Sequence, residues 1–211
     1  SSMRVVQAGN TLMEGRGDFA QPRPGAPEGG VFVADMALFK PVMAEQNKFR
    51  GDDVSPAVAR IAATLIRQGE SLTALARKNS LPWHVSEPDA PRARSNSDLA
   101  RLIANVRSCI SRSEQGRFNA TTTHSFKGLQ DRATIVLDAT SRCYPFIHPD
   151  WVFSRILGVA LEDVVDEERR LLYVALTRAQ TSLYILLDSN DPSRMLARTL
   201  KEVPSQIIDW D

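Results

Sequence analysis

Much of what would let a chain do chemistry alone is missing here. No Gly-x-x-x-x-Gly-Lys-Ser/Thr stretch occurs, and none of the 11 glycines is followed by lysine. That excludes a phosphate loop, with its triphosphate-binding lysine and magnesium-binding hydroxyl. Cysteine is scarce: Cys109 and Cys143 lie far apart, in no Cys-x-x-Cys pairing. A zinc site is therefore not expected, and a reduced, cytoplasmic protein is the simplest reading. No apolar run reaches the roughly 20 residues of a membrane helix, and the opening Ser-Ser-Met-Arg lacks the apolar segment of a signal peptide. Neither a nucleophile–base pair nor a glycine-rich dinucleotide loop is present to support a small-molecule enzyme on a doubly wound fold. The net charge is only +1, so any contact with nucleic acid has to come from a local groove.

What is present reads as an ordinary globular chain. Hydrophobic residues make up 43% and charged residues 24% of 211 positions, enough for one large domain or two small ones with a real core. Residues 4–14 suit a short helix with Val5, Val6, Leu12 and Met13 on its apolar face. Pro22, Pro24, Gly25, Pro27, Gly29 and Gly30 mark a loop. Val31 to Ala34 reads as a buried strand. Ser55-Pro56 offers an N-cap followed by proline, opening a helix with Val58, Ile61, Ala62, Leu65 and Ile66 inward and Gly69 as its stop. Leu72 to Ala76 is a second strand, and residues 81–94 form a proline-rich polar linker. Leu99, Leu102, Ile103, Val106 and Ile110 share one face of a helix from Asp98 to about Ser113. Thr134 to Asp138 and Leu183 to Leu187 complete the strands. Strand–helix–strand alternation of this kind predicts an α/β domain: an open, mostly parallel sheet with crossover helices.

Two strings stand out. Glu167-Glu168-Arg169-Arg170-Leu171-Leu172-Tyr173-Val174-Ala175-Leu176-Thr177-Arg178-Ala179 reads as one amphipathic helix with Arg178 at its far end. Leu171, Leu172, Val174 and Ala175 can face the sheet, while Glu167 and Glu168 near the start would favour the positive end of the helix dipole. On composition alone such a helix is a solvated face laced with salt bridges. Val164-Val165-Asp166-Glu167 superficially matches a metal-binding acidic box. It is rejected, because that box ends a buried strand whereas this one enters a helix. The second string, Thr121-Thr122-Thr123-His124-Ser125-Phe126-Lys127-Gly128-Leu129-Gln130, joins a threonine-rich strand end to a tight turn. Glycine there lets backbone N–H groups approach phosphates closely. Taken singly, a histidine is more often structural than functional and a Lys-Gly pair is a common turn.

In this order, the two strings resemble motifs V and VI of the UvrD/Rep family of superfamily 1 DNA helicases, closely over the C-terminal third and loosely elsewhere. The resemblance implies a RecA-like fold, the second of two such domains around an ATP cleft. Arg178 matches the motif VI arginine, implying an arginine finger on the γ-phosphate, a role worth about 10³–10⁵ in rate. A planar, permanently charged guanidinium suits that role. By the same likeness Thr122, His124 and Lys127 would meet single-stranded DNA, and Gly128 and Gln130 would join Arg178 at the nucleotide. Family members usually carry glutamate where this chain has Gln130; an amide still accepts from a ribose hydroxyl, without charge assistance. Leu72 to Asn79 resembles the strand before the family's long insertion, which an arginine ends. The implied layout is residues 1–80 and 119–211 as two parts of one domain, with 81–118 a reduced insertion. There Trp83 and His84 could stack on bases, for about 1–3 kcal/mol each, although burial of Trp83 is the stronger expectation. ATP and Mg²⁺ would be bound mainly by an N-terminal RecA-like partner domain, with no metal site in this chain and no membrane contact. Unwinding from 3′ to 5′ is the family's habit. The chain is thus expected to be a piece cut just after motif IV, inactive as an ATPase alone. The competing reading is a free-standing, non-catalytic domain that binds DNA or protein.

Overall fold

The computed structural model describes residues 1–17, 19–87, 97–148, 158 and 160–210. Its strands are β1 (Gly30–Asp35), β2 (Leu72–Ala76), β3 (Phe118–Thr122), β4 (Asp131–Val136), β5 (Ala179–Leu187) and β6 (Gln206–Ile207). They form one six-stranded sheet in the order β3-β2-β4-β5-β1-β6, and every neighbouring pair is parallel. Helices α1 (Met3–Met13), α2 (Met43–Gln46), α3 (Ser55–Arg67), α4 (Asp98–Arg107), α5 (Leu161–Leu176) and α6 (Ala197–Glu202) connect them. Among the described residues no helix is long and apolar enough to cross a membrane.

Parallel strands joined by crossovers are covered on both faces, which is why β2 and the end of β4 are buried without a break. Leu72 and Ala74 turn to one face, where they meet α3 and α4 through Ile66, Leu102 and Val106. Leu75 and Val136 turn to the other, where α1 and α5 supply Val5, Leu12, Leu172 and Leu176. Phe118, Leu102, Leu172 and Leu176 are completely buried, each contributing about 1.5–3 kcal/mol by leaving water.

Several local expectations shift. Helix α3 begins at Ser55 itself, so Ser55 is not its cap. Buried Asp53 takes the Ser55 N–H at 2.7 Å with one oxygen and the Ser86 N–H at 2.7 Å with the other. Gly69 does end that helix, with φ +82°, a conformation glycine adopts without a side-chain penalty. Helix α4 stops at Arg107 rather than near Ser113, while β4 and β5 begin earlier than their apolar runs, at Asp131 and Ala179. Helix α5 departs furthest from the pattern expected of it. It starts at Leu161, so the acids of its first turn are Glu162 and Asp163, and Glu167 and Glu168 sit mid-helix. The dipole role given to that pair is therefore withdrawn.

Just past β4 lies Asp138, fully buried. One of its carboxyl oxygens accepts the Arg77 backbone N–H; the other has no partner among the described residues. Burial pushes its pKa up to about 7, against the lowering pull of the Arg77 N–H and guanidinium. An unfolded aspartate titrates near about 3.9, so the folded state holds this proton more tightly. The stability from this group is therefore complete below about pH 4 and is lost as pH rises through about 7. Urea unfolding of the isolated domain should show the gap between wild type and Asp138→Asn changing across pH 5 to 8, with the wild type losing ground at the alkaline end. Parallel pH curves for the two proteins would contradict this.

Candidate nucleotide and nucleic-acid interface

Helix α5 is the crossover between parallel neighbours β4 and β5 and runs opposite to them, so its C-terminal end lies at the amino edge of the sheet. Arg178 follows directly, in the turn before β5. Its Nε–H donates to the Val174 carbonyl at 3.0 Å, and one terminal nitrogen donates to Thr177 Oγ1 at 3.2 Å. The other reaches the Leu129 carbonyl at 3.4 Å. A cation beside the last helical carbonyls is favoured by the helix dipole. Partial burial lowers the guanidinium's pKa from its ordinary value, with Tyr173 opposing. Among the described residues no carboxylate pairs with it, and three bonds leave some of the five N–H donors of an arginine unused. Helix α1 presses on the same corner: a Cβ at Gly9 would stand 2.7 Å from the Thr177 methyl and 2.9 Å from the Tyr173 ring.

The partner of Arg178, Leu129, belongs to the second string. Strands β3 and β4 flank β2, so residues 123–130 must cross β2 from the carboxyl edge to the amino edge. Two anchors fix this crossing. The Thr123 N–H donates to the Ala76 carbonyl at 2.8 Å, and Phe126 is buried in the cluster formed by α1 and α5. Thr122 Oγ1 accepts the Ser125 N–H at 3.3 Å, tightening the turn. His124 and Lys127 remain exposed, with no side-chain hydrogen bond or ion pair among the described residues. Gly128 has φ +87° and nothing within 4 Å of where a Cβ would be, so backbone approach there is open and a side chain would strain the turn. The fold thus brings Gly128, Gln130 and Arg178 together at the amino edge. It leaves Thr122 and His124 near the carboxyl edge, at the other end of the crossing.

Three residues at that carboxyl edge were assigned no such role. Arg77, which follows β2, grips Glu168 on α5: Nε lies 3.0 and 3.1 Å from the two carboxylate oxygens, and a terminal nitrogen is at 2.6 Å. Glu168 is 4% exposed and also accepts the Phe146 N–H at 3.1 Å. Its carboxylate raises the pKa of Arg77, while burial acts in the opposite sense. The third is Asp138, on the Arg77 backbone. Glu168 shares its helix face with Leu172, Ala175 and Leu176, so the spacing alone could have marked it as inward. Lys78 Nζ stands 3.8 Å from the centroid of the Phe146 ring. Trp83 packs against the α3–α4 core, its Nε1–H on the Leu137 carbonyl at 2.5 Å. The His84 carbonyl accepts the Val54 N–H at 3.1 Å. In the rejected acidic box, Asp166 pairs with Arg16, and Glu167 with Arg170 at 3.6 Å.

ATP-dependent DNA helicase PcrA of Staphylococcus epidermidis RP62A is 33% identical over 94 residues, which is 42% of this chain and 12% of that protein. PcrA of Staphylococcus aureus Mu50 is 32% identical over a stretch of the same length and the same shares. The match thus spans only 12% of the length of these curated relatives. Among solved structures, the C-terminal domain of a "possible DNA helicase" from Lactobacillus plantarum WCFS1 superposes with a TM-score of 0.55. It covers 99% of this chain and 98% of its own at 14% identity, a likeness of fold. The family model for the UvrD-like helicase C-terminal domain matches residues 71–190. That span takes in β2, the crossing turn, α5 and Arg178, more than half of the sequence, and the chain belongs to the UvrD-like helicase C-terminal domain family.

Proposed function

We propose that this chain is the second RecA-like domain of an ATP-dependent DNA helicase, supplying the arginine finger and part of the ATP and single-stranded DNA sites. The observation that carries the reading is the Arg178–Leu129 contact. It sets a guanidinium without a carboxylate partner, among the described residues, against an open glycine turn. Phosphoryl transfer needs positive charge where the equatorial oxygens of the γ-phosphate gain it, and a half-buried site makes that charge count for more than it would in water. Arg178 would supply it across a cleft to ATP held on an N-terminal RecA-like domain. Gly128 admits close backbone approach at the same edge, and the Gln130 amide can accept from a ribose hydroxyl. Mg²⁺ would accompany the triphosphate on the other domain. Thr122, His124 and Lys127 would meet single-stranded DNA. Residues 1–80 and 119–211 would be the two parts of the domain and 81–118 a reduced insertion, in a cytoplasmic enzyme unwinding from 3′ to 5′.

One feature favours a free-standing binding domain instead: Gln130 stands where the resembled family carries glutamate. Turnover separates the two readings. Purified alone, this chain should hydrolyse no ATP above background with or without single-stranded DNA; DNA-stimulated turnover by it would refute the division of labour. In the full-length protein, Arg178→Ala should lower kcat by about 10³-fold or more while nucleotide affinity changes little. Unchanged turnover would remove the finger role, and absent turnover in the wild type would favour the binding domain. His124→Ala should weaken binding of a fluorescent oligonucleotide more than binding of ATP, and the reverse pattern would misplace the DNA track.

A further inference from the structure

The Arg77–Glu168 pair has no part in the roles above, yet it is the most completely satisfied ion pair at the carboxyl edge. Its stabilising value is not a sufficient reason for it. Two charges taken out of water cost several kcal/mol each before they attract one another, and apolar residues of similar size often hold a helix on a sheet as well. An ion pair of this kind does add direction. The fork of Arg77 meets both oxygens of Glu168, and Phe146 donates a backbone N–H to the same carboxylate. Asp138 meanwhile fixes the Arg77 backbone. A turn or slide of α5 would break several of these bonds together, so the junction resists small displacements.

Followed through the fold, the pair closes a ring. From Arg77 it passes to Glu168, then along α5, a rigid rod of about 1.5 Å per residue, to Arg178. From Arg178 it crosses to the Leu129 carbonyl, runs back along the crossing turn past His124, and returns through the Thr123 N–H to the Ala76 carbonyl. Ala76 precedes Arg77. The ring ties the carboxyl edge, with His124, to the amino edge, with Arg178, about 15 Å away along the helix.

Resting on the function proposed above, we propose that Arg77 and Glu168 are positioning residues that couple single-stranded DNA at the carboxyl edge to the placement of the Arg178 guanidinium at the nucleotide edge. Neither touches substrate; they keep α5 and the end of β2 moving as one body. Removing the fork uncouples the edges without altering either site.

The test uses the full-length protein and measures ATP turnover with and without a single-stranded oligonucleotide, with oligonucleotide affinity alongside. Arg77→Lys keeps the charge and loses the fork; Glu168→Gln keeps the shape and loses the charge. Each should retain DNA-free turnover, the KM for ATP and oligonucleotide affinity near wild type, while stimulation of kcat by DNA falls about tenfold. The double variant should be no worse than the worse single one, because both break one link. If Glu168→Gln fails to fold, Arg77→Lys alone decides, since it leaves no buried carboxylate without a cation. Full stimulation in Arg77→Lys overturns the proposal. So does an equal loss of basal and stimulated turnover, which marks a merely structural pair, and so do additive single effects. A wild-type protein that hydrolyses ATP without responding to DNA removes the coupling but leaves the finger role of Arg178 standing.

Discussion

A parallel sheet exposes both faces unless something covers them, and that obligation arranges this domain. The link from β4 to β5 has to cross the sheet against the strand direction, and α5 makes the crossing with Leu172, Ala175 and Leu176 buried beneath it. A helix laid that way delivers one end to each edge. The link from β3 to β4 is too short for a helix of similar length, so a tight turn anchored by Phe126 makes the passage instead. Both family motifs are therefore crossovers first, and their exposed residues are what the crossings bring to the edges.

The two arginines that meet α5, Arg77 at mid-helix and Arg178 just past its end, show how environment divides labour between identical side chains. Arg77 meets a carboxylate, which raises its pKa and neutralises its field locally. Arg178 is half-buried against carbonyls and a hydroxyl, and burial lowers its pKa. A cation already matched to an anion has little field left for a substrate, whereas one held only by dipoles keeps most of its own. The first arrangement suits a joint and the second a site.

Much of this was legible in the residues. Apolar periodicity located α1, α3, α4 and the central strands, and the unbroken string ending in Thr177-Arg178-Ala179 pointed to the helix and to the arginine after it. The buried acids share a cause. Glu168, Asp138 and Asp53 are acids, and residue type reads acids as surface even where, as at Glu168, the helical spacing points inward; the partners that bury them lie far away in sequence, at Arg77 for two of them and at Ser86 for the third. The start of α5 was missed although Leu161, Val164 and Val165 stand at helical spacing, because the family string begins only at Glu167. Strand β6 is two exposed residues beside Phe32 and Val33, and no local pattern distinguishes such a pair from a loop.

The close approach of α1 at Gly9 carries a consequence of its own. The absent methyl is what lets the first helix lie against Thr177 and Tyr173, so hydrogen at that α-carbon bears on Arg178 at one remove, through the threonine it bonds. A residue near the opening of the chain thereby fixes the seat of a guanidinium near its close. Bulk added there would shove aside the threonine that steadies the arginine, and the damage would surface far from the altered codon.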